Sequence, residues 1–403
     1  MRRLIAWLLI VGTAGFAAAA DDKKSDDEKK PSLKVGDAPP PIDATKWLQG
    51  KEVTSFEPGK VYVVEFWATW CGPCIAIMPH VASLQREFRD AGVTVIGFTA
   101  KDPNNTAEKV AEFVTKRGPK LGYTFAFADN RNTYDAYMKA AGQNGIPCAF
   151  VIGKDGKLAY IGHPVFLDEV LPKVVAGTWD AAAGAEEIAK IDQQFDKVFS
   201  AINGEDIEGG LKALAEFEAQ RPRLAKSVYL VAPKLNLLMR AKKFEQARAM
   251  AERAIAEAAE QDDTFLLRQV SSVLRSPPAQ GEKAFAALAV SAAEANLKLA
   301  GDKDLSALLN LADALKSSGN ATQAVEVGRK AIAVAEAAVN AEGEKKNPMT
   351  LIRLADAYLA AGEADKAKDA AQKALDAAPA NMKRNFQRMV EKYGVKPKDD
   401  GDK

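Results

Sequence analysis

Two cysteines held two residues apart are the groups in this sequence best suited to chemistry. Cys71 and Cys74 follow the apolar run 61–67 and open an amphipathic stretch near 73–90, which predicts a strand that leads into a helix. A helix N-terminus carries partial positive charge and exposed N–H groups, and both favour a thiolate at Cys71. Because the thiolate is the nucleophile of disulfide exchange, we expect Cys71 to attack a substrate and Cys74 to resolve the mixed disulfide.

The same spacing has two other interpretations, half of a zinc site or an inert bridge. The 403-residue chain holds three cysteines and two histidines, and no second pair completes a four-ligand zinc site. We therefore expect no metal and no cofactor. The two residues between the cysteines suit a redox turn, since Gly72 permits a tight bend and Pro73 fits the first turn of a helix.

The surrounding region alternates strand and helix patterns and predicts an α/β fold. Short apolar or β-branched runs predict strands, and amphipathic stretches between them predict helices packed on a sheet. We expect strands at 61–67, 93–100, 123–128 and 148–153, and helices near 73–90, 106–117 and 131–141. The turn 154–156, with the sequence Lys-Asp-Gly, then predicts an antiparallel hairpin with a final strand at 158–161.

Residues 64–74 closely resemble the active-site segment of the thioredoxin superfamily, with the sequence Val-Glu-Phe-Trp-Ala-Thr-Trp-Cys-Gly-Pro-Cys. Pro79 resembles the proline that kinks the first helix of that family. The resemblance covers residues 35–177 and implies a thioredoxin fold, a central mixed sheet flanked by helices. The stretch after the cysteines has room for an extra strand and helix near 101–124, as in the extracytoplasmic TlpA-like, or redoxin (AhpC/TSA-type), branch.

A second segment, Gly-Ile-Pro at 145–147, matches the cis-proline loop of the same superfamily. The resemblance implies that Pro147 is cis beside Cys71. It also implies that the backbone of Ile146 offers hydrogen bonds to an extended substrate. We expect four residues to contact the substrate: Ile146 of this loop and Trp70, Gly72 and Pro73 around the cysteines. Trp70 is expected to shape the exposed surface around the thiol rather than to react.

Glu65 lies near the position of the superfamily's buried carboxylate. Val61, Val63, Glu65 and Trp67 share one face of the predicted strand, so an acid among them would be desolvated and its pKa raised. Glu65 is then expected to accept the proton of Cys74 during exchange. The alternative is a solvated or merely hydrogen-bonded carboxylate near the end of the strand.

Three further residues are weaker candidates. Cys148 follows Pro147, where it is either a third redox thiol or, as we favour, a small buried residue. His163 ends the predicted hairpin, and we expect it to pack in a loop rather than to face the active site. His80, which follows Pro79, is the weakest candidate for tuning the thiols.

The composition changes after residue 177, where Ala, Leu, Glu and Lys dominate and favour helices. Leu-Ala-Asp-Ala occurs at 311–314 and again 43 residues later at 354–357. Such an offset predicts stacked helix pairs over 185–390 and resembles tetratricopeptide repeats, whose period is about 34 residues. An insertion at 341–347 would account for the longer period.

Both ends of the chain differ from its middle. Residues 1–20 combine two arginines, an apolar run of 13 residues and four alanines, which is typical of a cleaved secretory signal. An uncleaved membrane anchor is the alternative. A charged spacer is expected at 21–34 and a charged tail at 391–403. We therefore predict a secreted or periplasmic protein, in a compartment where thiols tend to be oxidised.

These features predict an extracytoplasmic thiol–disulfide oxidoreductase that acts on protein disulfides. We favour a reductase, because no cationic residue between the cysteines stabilises the thiolate further; it would need an electron donor, expected in the membrane. Two alternatives stay open, a peroxiredoxin-like peroxidase and a non-enzymatic repeat protein. The helical repeats are expected to bind a protein partner. A net charge of +1 argues against a nucleic-acid partner.

Overall fold

A computed structural model describes residues 32–343 and 346–395 of the chain. The predicted signal segment 1–20, most of the predicted spacer 21–34 and residues 396–403 of the predicted tail lie outside the described residues. Among the residues that are described, no helix combines the length and the apolar character needed to cross a membrane.

The described residues form one mixed sheet of six strands, in the order β1-β4-β3-β2-β5-β6. Strands β2, β3 and β4 run parallel, whereas β1 is antiparallel to β4 and the hairpin β5–β6 is antiparallel to β2. The strands are β1 Lys46–Gln49, β2 Val61–Phe66, β3 Val93–Ala100, β4 Thr124–Ala128, β5 Cys148–Ile152 and β6 Leu158–Gly162. This is the mixed sheet predicted for the α/β region.

The sheet is covered on both faces. Every residue of β2 is buried, as expected for a central strand with helices on both sides. On one face, the ring of Tyr137 packs against Phe66 and Phe150, with ring centroids 5.6 and 5.0 Å apart. Helices of this region are α1 Gly72–Phe88, α2 Ala107–Leu121, α3 Asn132–Tyr134, continued as a π-helix over Asp135–Lys139, and α4 Leu167–Ala176.

Two details differ from the sequence prediction. The edge strand β1 was not predicted, because its four residues are too few to show a period. Near 101–124 the expected helix is present as α2, but the strand beside it, β4, begins only at Thr124, and the described residues before α2 hold only an isolated bridge between Asp102 and Asn105. Asn105 is buried, and its side-chain amide donates to Thr99 Oγ1 and to the Ala100 carbonyl, which holds this segment as a loop.

The rest of the described chain is helical, as the composition predicts. Its helices are α5 Ala181–Asn203, α6 Ile207–Gln220, α7 Val228–Arg240, α8 Phe244–Glu260, α9 Thr264–Val273, α10 Lys283–Ala300, α11 Leu305–Ser317, α12 Ala321–Ala341, α13 Pro348–Ala360, α14 Ala364–Ala377 and α15 Lys383–Val390. Successive helices from α11 to α14 pack against each other. Small alanines such as Ala331, Ala355 and Ala371 are fully buried there, which allows close packing.

The described chain divides into two compact units. One contains the sheet and continues through α5, α6 and α7 to Met250, with 256–266 added; the other contains 251–255 and the residues from Leu267 onward. The domain boundaries predicted at 177 and 185 stay predictions, as does the assignment of the helices to the tetratricopeptide family.

Candidate active site

The two cysteines lie where β2 gives way to α1. Cys71 is the N-cap of α1, and its Sγ accepts the backbone N–H of Cys74 at 3.2 Å. The two sulfurs are joined in a disulfide, so the structure represents the oxidised form. Cys74 is fully buried and Cys71 is 4% exposed, which makes Cys71 the sulfur nearer to solvent.

Side chains from the loop after β3 fix the segment that precedes Cys71. Asn105 Oδ1 accepts the backbone N–H of Thr69 at 2.9 Å, and the indole Nε1 of Trp70 donates to Asp102 Oδ2 at 2.9 Å. Trp70 is nevertheless 55% exposed. The sequence analysis missed the role of Asn105, although its position in the run Asp-Pro-Asn-Asn marks a polar turn.

The predicted cis-proline loop lies against the disulfide. The Ile146–Pro147 peptide bond is cis, and the carbonyl oxygen of Ile146 is 3.9 Å from Cys71 Sγ. Trp70 and Ile146 line a groove of about 300 Å³ beside the cysteines, together with Asp102, Arg131, Tyr134 and Asn144. The structure thus brings together two of the four expected substrate contacts.

The other two expected contacts, Gly72 and Pro73, face helices of the same compact unit. The hydroxyl of Tyr229 in α7 donates to the Pro73 carbonyl at 3.2 Å. A Cβ added to Gly72 would lie 3.3 Å from the ring of Phe265. Neither Gly72 nor Pro73 lines the groove. No local sequence signal could have placed Tyr229 and Phe265 here, because both are more than a hundred residues from the cysteines.

Glu65 is fully buried in β2. Its Oε2 accepts a hydrogen bond from the Tyr123 hydroxyl at 3.4 Å, whereas its Oε1 has no hydrogen-bond partner within the described residues. Burial raises the pKa of Glu65 to about 8, against the lowering effect of the Tyr123 hydrogen bond. With this pKa the carboxyl is mostly protonated at neutral pH, but roughly a tenth of it is ionised at pH 7 and can accept a proton.

Tyr123 is a further buried polar partner that the sequence analysis did not single out. It directly precedes β4, and its ring stacks on Phe125 with centroids 4.6 Å apart. Burial first, and then the negative charge of Glu65, raise the pKa of Tyr123 well above its ordinary value. The phenol therefore stays protonated and can act as a hydrogen-bond donor to Glu65 at any physiological pH.

The remaining candidates lie in packed positions. Cys148 is buried and takes part in no disulfide, and burial raises its thiol pKa to about 12. Desolvation lowers the pKa of His163 to about 4, and its Nδ1 accepts the backbone N–H of Val165 at 3.1 Å. His80 Nε2 lies 3.0 Å from Asp168 Oδ2. The small-residue interpretation of Cys148 and the packing interpretation of His163 agree with these positions.

Comparison with known proteins places this site in a family. The Redoxin family model matches residues 34–175. Protein FixW of Rhizobium leguminosarum is 35% identical over 163 residues, which are 40% of this chain and 73% of FixW. The chain belongs to the redoxin family of the thioredoxin superfamily.

Other relatives match the same redoxin region. The thiol-disulfide oxidoreductase ResA of Geobacillus thermodenitrificans is 30% identical over 135 residues, which are 33% of this chain and 71% of ResA. A solved thiol:disulfide interchange protein of the thioredoxin family from Chlorobium tepidum is 23% identical, with a TM-score of 0.29; the match covers 34% of this chain and 97% of that one.

Proposed function

We propose that this chain is an extracytoplasmic thiol–disulfide reductase that acts on protein disulfides through Cys71 and Cys74. One observation carries the proposal: Cys71 caps a helix N-terminus and is bonded to Cys74, and its neighbour Trp70 lines an open groove together with Ile146 of the cis-proline loop. The names of the redoxin relatives support the same class of reaction. The location rests on residues 1–20, whose pattern is typical of a secretory signal.

The reaction would proceed by two exchanges. The Cys71 thiolate attacks one sulfur of the substrate disulfide, forms a mixed disulfide and releases the other sulfur as a thiolate. Cys74 then loses its proton and attacks Cys71 Sγ, which releases the second substrate thiolate. The substrate gains two electrons and two protons, and the chain is left with the Cys71–Cys74 disulfide. A dithiol electron donor, expected in the membrane, must reduce that disulfide again.

Glu65 is proposed as the group that takes the proton of Cys74. It is buried in the strand that leads to the cysteines, and burial raises its pKa to about 8. Proton transfer is most efficient when the pKa of the acceptor is near the working pH. The Tyr123 hydroxyl donates to one carboxylate oxygen and would hold the ionised form in place.

The direction of electron flow is proposed from the residues between the cysteines. Gly72 and Pro73 carry no charge, so the Cys71 thiolate has only the helix N-terminus to stabilise it. A modestly stabilised thiolate favours the reducing end of the range of potentials. A protein partner bound at the helical repeats belongs to the same proposal, because stacked helix pairs offer extended binding surfaces.

The test is the reduction potential of the Cys71–Cys74 pair, measured by equilibration of the purified protein in glutathione buffers. We expect a value near that of thioredoxin, about −270 mV. A value near about −120 mV would contradict the reductase direction, since strong oxidants lie there. Failure of the pair to exchange with glutathione at all would contradict the whole proposal.

Substitutions assign the two sulfurs. Cys71→Ser should abolish exchange, whereas Cys74→Ser should accumulate the mixed disulfide, which mass spectrometry would detect. The matched control is Cys148→Ala, which should leave exchange intact. Rapid consumption of hydrogen peroxide by the reduced wild-type protein would favour the peroxidase alternative instead.

A further inference from the structure

Two aromatic residues from the helical extension pack against the two residues between the cysteines. Tyr229 donates its hydroxyl to the Pro73 carbonyl at 3.2 Å, and its ring meets His163 edge-on with centroids 5.5 Å apart. The ring of Phe265 lies so close to Gly72 that an added Cβ would be 3.3 Å away. We call Tyr229 and Phe265 the dithiol wall. Both residues belong to the compact unit that contains the sheet.

Ion pairs hold the α7 arm of this wall in place. Arg223, which precedes α7, donates to both carboxylate oxygens of Glu87 at 2.9 and 2.7 Å and to Asp168 at 2.8 Å. Arg221 donates to Glu169 at 2.9 Å. These three acids belong to α1 and α4 of the redoxin region. Bidentate arginine–carboxylate pairs fix orientation as well as distance, so Tyr229 is held at a defined place.

The α8–α9 turn holds the other arm. Asp262 adopts a left-handed conformation with φ of 54°, and its Oδ2 lies 2.7 Å from Lys120 Nζ at the end of α2. The negative charges of Asp263 and then Asp262 also act on the buried Arg117 of α2, where they oppose the lowering of its pKa by burial. The acidic turn is thus attracted to basic residues of α2, and this attraction holds Phe265, two residues after the turn, near α1.

An open groove lies near the reactive sulfur, and the wall does not line it. Cys71 is 4% exposed, yet the neighbouring Trp70 is 55% exposed and borders the groove of about 300 Å³. Gly72 and Pro73, which do not line this groove, contact the wall instead. Cys71 Sγ has to approach the substrate in line with the substrate S–S bond that breaks. The substrate chain on either side of that bond therefore needs space near Cys71, and the groove provides it.

We infer that Tyr229 and Phe265 determine substrate specificity: they allow small or flexible disulfides to reach Cys71 and exclude disulfides held in the surface of a folded protein. The inference rests on the proposed exchange function and deepens it by naming the substrate class. A small or flexible disulfide can lie along the groove between Trp70 and Ile146. A disulfide embedded in a folded surface would bring neighbouring side chains against Phe265.

The test compares rates of exchange of the reduced full-length protein with two disulfides, oxidised glutathione and insulin. Phe265→Ala should raise the ratio of the insulin rate to the glutathione rate by about tenfold, the size of discrimination that one apolar group supplies. Phe265→Leu should give an intermediate ratio. The matched control is Gln261→Ala in the exposed part of the same turn, which should leave both rates unchanged. An unchanged ratio in Phe265→Ala would overturn the inference.

A second measurement does not depend on catalysis. Alkylation of Cys71 in the reduced protein by iodoacetamide and by a maleimide carrying a 5-kDa polymer reports access directly. Tyr229→Ala and Phe265→Ala should each raise the relative rate of the polymer reagent, whereas Tyr229→Phe, which keeps the ring, should not. Should the wild-type protein reduce neither disulfide, the proposed function fails, while the alkylation ratio still decides whether the wall restricts access.

Discussion

Glu65 is a buried acid that accepts a single side-chain hydrogen bond among the described residues. Its Oε1 has no partner within the described residues, and Tyr123 reaches the other oxygen at 3.4 Å. An unpartnered carboxylate in an apolar interior is costly in the ionised form. Function at this position therefore opposes stability, a common situation at sites where a proton must move.

We predict that Glu65 makes the stability of the oxidised protein depend on pH. The carboxyl has a pKa of about 8 in the folded chain against a reference value of 4.5, so its contribution is fully present below pH 4.5 and declines as the pH rises to 8. The loss is roughly 1.4 kcal/mol for each pH unit in this window. Urea unfolding of wild type and Glu65→Gln across pH 4–9 would measure it.

Glu65→Gln should lack that decline, and its free energy of unfolding should exceed that of wild type most at pH 8 and above. The disulfide is kept oxidised in both proteins, so neither cysteine titrates. Parallel pH profiles for the two proteins would contradict the prediction. The same substitution should slow exchange at least tenfold, which is within the usual contribution of a general base.

At the residue scale, prediction from sequence succeeded where the signal was local. The spacing of Cys71 and Cys74 predicts a cysteine pair at the start of a helix, and the position of Glu65 on an apolar strand face predicts its burial. Tyr229 and Phe265 could not be predicted, because their positions depend on how helices far along the chain fold back. Ion pairs such as that of Arg223 with Glu87, 136 residues apart, help to position these helices, and a local sequence pattern cannot reveal them.

Gly328 lies where the backbones of α12 and α13 come close together. A Cβ at this position in α12 would lie 2.6 Å from the Ala361 backbone nitrogen and 2.7 Å from the Ala360 carbonyl carbon. Backbone atoms cannot rotate away as a side chain can. The close packing of α12 against α13 therefore depends on the missing side chain of Gly328.

Gly328→Ala should destabilise the protein although alanine favours helices by about 1 kcal/mol over glycine. Overpacking costs typically about 1–3 kcal/mol, and a clash with backbone falls at the upper end, so we expect a net loss of at least about 1 kcal/mol. Thermal unfolding followed by circular dichroism would measure it. The control is Arg329→Ala on the exposed side of α12. Equal losses of stability in the two variants would contradict the prediction.

At the scale of elements, long periodic segments were predictable and short irregular ones were not. Strands β2 and β3 and helix α1 match their predicted ranges within two residues at each end. The four-residue β1 and the π-helix Asp135–Lys139 escaped prediction, since the first is too short to show alternation and the second is wound differently from the α-helix expected. Buried Asn105 holds the residues before α2 as a loop, because its amide donates to Thr99 and to the Ala100 carbonyl, and the strand of this stretch therefore comes after the helix, as β4.

For the whole molecule, the division into two compact units predicts unfolding in two steps. The disulfide lies in the unit with the sheet and closes a short loop, so it should stabilise that unit alone, by about 2 kcal/mol. Reduction should lower one calorimetric transition by roughly 4–8 °C and leave the other unmoved. Gly328→Ala should move only the transition that reduction spares. A single transition that responds to both changes would show one cooperative unit.

Cys148 gives the chain an internal reference for counting thiols. Burial raises its pKa to about 12, so almost none of it is thiolate at neutral pH, and it is inaccessible in the folded state. Cys74 is buried as well, so a thiol reagent applied to the folded protein reports on Cys71, reading one group when the pair is reduced and none when it is oxidised. In denaturant the oxidised sample reads one group, which is Cys148. For the oxidised protein, the difference between the two readings therefore gives the fraction of folded protein without any separate assay.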